Sequence, residues 1–62
     1  MEKDTSWVGL DVHKNEIAVA GIFVGEGLVE WRAEHTRASV TKLVKRMRAL
    51  AGKGELVVCY EA

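Results

Sequence analysis

The chain has 62 residues, nine basic and nine acidic side chains and no formal net charge, so charge balance argues for neither nucleic-acid nor membrane affinity. With 48% hydrophobic and 29% charged residues, the composition is that of a globular domain and excludes a disordered or fibrous segment. The length allows one domain, marginal in the surface it can bury.

A single cysteine, Cys59, excludes an internal disulfide, and no Cys/His spacing matches a zinc site, which points to a reducing cytoplasm. The start, Met1-Glu2-Lys3-Asp4-Thr5, is polar and lacks the pattern of a signal peptide. The longest apolar run, Ala18 to Val24, falls far short of the roughly 20 residues of a membrane helix. The expectation is a soluble cytoplasmic chain with no membrane partner.

The first element is a strand within Ser6-Trp7-Val8-Gly9-Leu10-Asp11-Val12-His13-Lys14. Alternation puts Val8, Leu10 and Val12 on one face and Trp7, Gly9 and Asp11 on the other. Both faces are mostly apolar, as in a strand covered on both sides. The exception is Asp11 at the C-terminal end, where open α/β sheets place ligands. His13-Lys14-Asn15 then reads as a hairpin turn, and Glu16 to Val24 as a second strand, with Ile17, Val19, Gly21 and Phe23 opposite Ala18, Ala20, Ile22 and Val24. Gly25-Glu26-Gly27 is a turn signal. Leu28 to Ala33 follows as a third strand, and Glu30 and Arg32 on one of its faces mark it as a sheet edge.

From about Ala38 to Ala51 the period becomes helical, with Val40, Leu43, Val44, Met47 and Leu50 forming one stripe. Thr36 or Ser39 can cap its start, and Gly52-Lys53-Gly54 marks its end. Glu55 to Glu61 is a fourth strand, with Leu56, Val58 and Tyr60 opposite Val57, Cys59 and Glu61. A helical crossover between strands three and four lets strand four lie parallel to strand one. Asp11 and Glu61 then meet at one sheet edge. Carboxylates so placed suit a site for divalent cations in phosphoryl transfer, where two ions stand about 4 Å apart. The same acids can equally be solvated charges.

Trp7 to Lys14, followed by Glu55-Leu56-Val57-Val58-Cys59-Tyr60-Glu61-Ala62, resembles the N-terminal part of the DEDD transposases of bacterial insertion sequences of family-110 type. The resemblance implies an α/β fold of ribonuclease H-like (RuvC-like) kind, here its N-terminal half, in the order β-β-β-α-β. It also implies that Asp11 and Glu61 are the first two metal-binding catalytic acids, and that residues 1–62 are a truncated N-terminal portion of the transposase domain. The family's two later aspartates and its nucleophilic serine have no counterpart. An intact parent would use Mg2+ or Mn2+ and act on DNA with a structured guide RNA, while the 62-residue chain alone would be inactive.

Among the basic residues, Lys14 beside the first acid is a candidate phosphate contact or a plain hairpin lysine. Arg37, Lys42, Lys45, Arg46 and Arg48 give the helix a basic face; Lys42, Lys45 and Arg46 are the candidates for a nucleic-acid backbone, against a merely solvated face. His13 reads as a turn histidine that can also assist a metal, His35 as surface, Cys59 as buried, and Trp7, Trp31 and Tyr60 as core or cover. Two other functions fit less of the sequence. The hairpin also resembles that of actin-like and sugar-kinase ATPases, but His13-Lys14-Asn15 lacks the Gly and Thr or Ser that wrap phosphate. A non-catalytic binding module or gene remnant is the other, since one helix cannot cover two apolar sheet faces; the uncovered face should drive self-association or dye binding.

Overall fold

The computed structural model describes residues 4–61; Met1, Glu2 and Lys3 of the polar start and Ala62 of the Cys-Tyr-Glu-Ala segment lie outside the described residues. The chain runs β1 (Thr5–Val12), β2 (Glu16–Phe23), β3 (Gly27–Glu34), α1 (Arg37–Ala51) and β4 (Glu55–Glu61). The four strands form one mixed sheet in the order β3-β2-β1-β4. β1 pairs antiparallel with β2 and parallel with β4, and β2 pairs antiparallel with β3. The crossover topology expected from the sequence is therefore present, with β3 and β4 at the edges.

The core lies between the helix and one face of the sheet. Val8 of β1, Ile17, Val19 and Phe23 of β2, and Leu43, Met47 and Ala51 of α1 are buried together, flanked by half-buried Leu10, Val12, Val29, Trp31, Val40, Leu50 and Leu56. The side chains come from alternate strand positions, so the strand period selects this face. Ser6 is buried at its end, where its Oγ accepts a hydrogen bond of 3.2 Å from the Val24 N–H and satisfies the backbone just beyond β2. Within α1 Leu43, Met47 and Ala51 are buried and Val40 and Leu50 half-buried beside them, while Val44, read as part of the same stripe, is 51% exposed. Its position falls outside the arc that touches the sheet.

Thr36 is the helix cap: its Oγ1 accepts the Ser39 N–H at 3.2 Å. At the other end Gly52 adopts φ 64° and its N–H reaches the carbonyls of Arg48 and Ala49, a geometry that suits glycine. The Arg48 guanidinium donates to the carbonyls of Gly52 and Gly54, tying the helix end to the turn before β4. β4 then enters the sheet through the Glu55 N–H, which donates to the Asp4 carbonyl at 2.8 Å. Here the backbones nearly touch, since a Cβ on Gly54 would lie 2.0 Å from that carbonyl oxygen.

The other sheet face carries no layer among the described residues. This corrects the expectation that β1 is covered on both sides: Trp7 is 44% exposed and Ile22 50%. Cys59, expected to be buried, is exposed on that same face. Tyr60, expected as core or cover, is 71% exposed because it stands near the end of edge strand β4. Trp31 does cover the core, half-buried against it. Among the described residues no helix is long and apolar enough to cross a membrane.

Candidate metal centre

On the uncovered face the registers align side chains in rows across the strands. Val57, Trp7, Ile22 and Leu28 form an apolar row; Cys59, Gly9, Ala20 and Glu30 come next; Glu61, Asp11, Ala18 and Arg32 form the last. The final row lies at the C-terminal ends of the parallel strands β1 and β4. Asp11 and Glu61 face each other in register, on backbones about 4.8 Å apart by ordinary strand spacing. Between them and the apolar row, Gly9 and Ala20 carry too little side chain to fill the surface. They leave an open depression of about 540 Å³ lined also by Leu10, Asp11, Cys59, Tyr60 and Glu61.

His13 joins this site. β1 ends at Val12, the strand alternation stops, and the His13 ring turns back so that Nε2 stands 3.2 Å from Asp11 Oδ2. Both side chains are more than half exposed. The turn that carries the ring is held at two points: the His13 N–H donates to the Glu16 carbonyl at 2.8 Å, and its own carbonyl accepts from His35 Nδ1 at 2.8 Å. His35 is thus exposed, as its sequence context suggests, yet it bonds to the hairpin that bears the site. The sequence held no signal for this contact, because His13 and His35 are 22 residues apart.

The basic candidates are distributed differently. Lys14 is exposed in the hairpin, three residues after Asp11. Lys42, Lys45 and Arg46 are exposed on α1, which packs against the sheet face opposite to Asp11 and Glu61. The fold does not bring these three together with the acids. Arg46 has another use: its guanidinium carbon lies 4.3 Å from the centroid of Trp31, a cation–π contact that covers the β3 side of the core. Arg32, at the far end of the acidic row, pairs with Glu16 at 2.9 Å.

The donors fit a hard divalent cation. Mg2+ prefers oxygen ligands, is commonly held by one or two carboxylates, and keeps positions for water and phosphate. Asp11 and Glu61 supply two exposed carboxylates on one face beside an open depression. Among the described residues no group of three or more His, Cys, Asp or Glu side chains is placed to hold a metal ion, so the acids present are the pair Asp11 and Glu61. Comparison with protein-family models, with curated proteins and with solved structures finds no match to this chain.

Proposed function

We propose that the chain supplies two carboxylate ligands, Asp11 and Glu61, to a divalent-metal site for DNA strand cleavage and transfer of the DEDD-transposase kind. The observation that carries the reading is the parallel register of β1 on β4, which sets Asp11 opposite Glu61 at the C-terminal ends of both strands. The substrate class, DNA handled with a structured guide RNA, and the RuvC-like identity of the fold come from the sequence resemblance in Trp7–Lys14 and Glu55–Ala62. Mg2+ or Mn2+ held there would polarise a phosphodiester oxygen and acidify a bound water. Asp11 and Glu61 would fix the ion at the rim of the depression, and Lys14 in the adjoining turn would meet the phosphate.

Paramagnetic broadening tests this directly. Addition of Mn2+ to the labelled chain is expected to broaden amide signals of Asp11, Glu61 and their strand neighbours first. Asp11→Asn with Glu61→Gln should abolish that localisation. Broadening centred elsewhere, or unaffected by the double substitution, would remove the metal site and the function with it.

A second reading rests on a separate observation, the apolar row Val57, Trp7, Ile22 and Leu28 on the uncovered face. It makes the chain a binding or assembly module whose sheet closes against a partner surface or a second copy.

A further inference from the structure

We propose that the outward face of α1 is a docking surface for the phosphate backbone of a nucleic-acid duplex, bound through Arg37, Lys42 and Lys45. The inference stands apart from the acid pair and starts from where the fold puts charge. The chain is neutral, yet its two layers are not. α1 carries five cations, Arg37, Lys42, Lys45, Arg46 and Arg48, and no acid. The four strands hold one cation, Arg32, which pairs with Glu16, while Asp11, Glu16, Glu30, Glu34 and Glu61 lie on the open sheet face. A polyanion is therefore drawn to the helix layer and repelled from the other.

Nothing within the described residues neutralises the helix: no α1 cation has an ion-pair partner among them. Lys42 has Lys45 three residues on and Arg46 four on, and Lys45 has Arg48 three on, spacings at which like charges repel. Arg37 stands in the first turn, where the helix dipole disfavours a cation. A helix face shaped only for solvation mixes both signs; this one accumulates repulsion that an external anion relieves. The structure then sorts the five. Arg48 is engaged by the carbonyls of Gly52 and Gly54, and Arg46 lies over Trp31. Arg37, Lys42 and Lys45 remain exposed, spread over about 12 Å of helix axis and an arc of about 140° opposite Leu43 and Met47. That length spans about three phosphate steps of one duplex strand. α1 carries no aromatic residue, and Trp31 beside it is half-buried, so bases find no stacking platform and the contact is with a duplex backbone.

The test is binding of the whole chain to a mixed-sequence DNA duplex of about 20 base pairs, in EDTA so that no metal at Asp11 and Glu61 contributes. Three neutralised phosphates give a slope of about −2.7 for log affinity against log salt, so raising salt from about 50 to 200 mM should weaken binding about 40-fold. Each of Arg37→Gln, Lys42→Gln and Lys45→Gln should reduce that slope by about 0.9, and the triple variant should lose binding. Arg32→Gln makes the same change of charge on the open face and should leave affinity and slope unchanged. On titration the amide signals of α1 should shift and those of Asp11 and Glu61 stay in place, and a matched RNA duplex shows which nucleic acid is held more tightly. Relieving the repulsion leaves the triple variant at least as stable as the parent chain, which a thermal melt verifies. A slope near zero, equal losses for Arg32→Gln and Lys45→Gln, or a single strand or polyglutamate bound as tightly as the duplex would overturn the proposal, leaving a solvated or indiscriminate basic face. The Mn2+ experiment above reads the opposite face, so either result leaves the metal site to its own test.

Discussion

Gly21 lies opposite Val8 in the β1–β2 ladder and on the face that meets the helix. A Cβ placed there would come within 2.6 Å of Phe23 Cε2, 2.9 Å of its Cζ and 3.0 Å of Val8 Cγ2. Phe23 is 1% exposed, so its ring has no open space into which to swing. Gly21→Ala is therefore expected to destabilise the fold by about 1–3 kcal/mol, the usual cost of overpacking. For a domain this small each kcal/mol lowers the melting temperature by about 4–8 °C. Gly9 is the internal control, because its Cβ would meet only the Ala20 carbonyl oxygen, at 3.8 Å. Gly9→Ala should leave stability unchanged or raise it by about 0.5–1 kcal/mol, since alanine has less backbone freedom to lose. Thermal melts of the two variants should move in opposite senses or differ by several degrees; equal melts would show that Phe23 repacks freely. The small residues of β2 suggest close packing in the sequence, and Gly21 is where that packing occurs. Ala20 lies on the open face, where smallness leaves a depression instead. Sequence alone does not separate the two uses, because both faces of β2 read as apolar.

At the scale of elements, α1 starts against its own dipole. Its first turn contains no acidic residue and opens with Arg37, so the Thr36 cap holds much of that end. Thr36→Ala should cost about 1 kcal/mol, and Thr36→Asp should keep the cap and add about 0.3–1 kcal/mol of dipole stabilisation. Urea midpoints at low salt measure both, and identical midpoints would mean that Ser39 or solvent replaces the cap. The entry to β4 is less forgiving. Gly54→Ala drives a Cβ into the Asp4 carbonyl, and the expected result is loss of hydrogen-exchange protection at the Glu55 amide, which donates to that same oxygen. Protection retained at Glu55 would show that the crossover can shift without losing the pairing. These elements were readable because helical period, Thr cap and glycine stop agree over one stretch. β4 was readable from end to end, Glu55–Glu61, because the helix stop precedes it. β3 was not: it extends to Gly27 and Glu34, beyond the span Leu28 to Ala33. Those two residues join through ladder partners Phe23 and Glu16, contacts that local composition does not encode. Asp11 and Glu61 were legible as a pair because parallel pairing follows from the crossover. His13 was legible only as a turn histidine able to assist a metal; its contact with Asp11 was not, because that approach begins where strand geometry ends.

For the molecule as a whole, the described residues set one helix against a sheet with two apolar faces. Helix and sheet bury Phe23, Val19 and Met47 on one side; on the other, Trp7, Ile22 and Leu28 are 44%, 50% and 65% exposed in adjacent strands. A strand apolar on both faces reads in sequence as covered on both, which is why Cys59 was expected buried and Trp7 as core or cover; the count of one helix against two apolar faces was the signal that one face stays open. Exposed side chains in one row form a patch, and patches of this kind drive association where scattered single residues do not. The chain is therefore expected to enhance the fluorescence of a hydrophobic dye and to sediment above monomer mass as concentration rises. Ile22→Thr with Leu28→Thr removes the centre and rim of the row while placing β-branched residues suited to strands at both positions. Since both positions are exposed, folding stability should change by no more than about 0.5 kcal/mol, yet dye binding and association should fall together. A wild-type chain that stays monomeric and dye-silent would show that the row is too broken by the depression at Gly9 and Ala20 to act as one surface. Association that persists in the double variant would transfer the contact to the free edge of β4, where Val58 and Tyr60 are exposed and no lysine or proline blocks strand pairing.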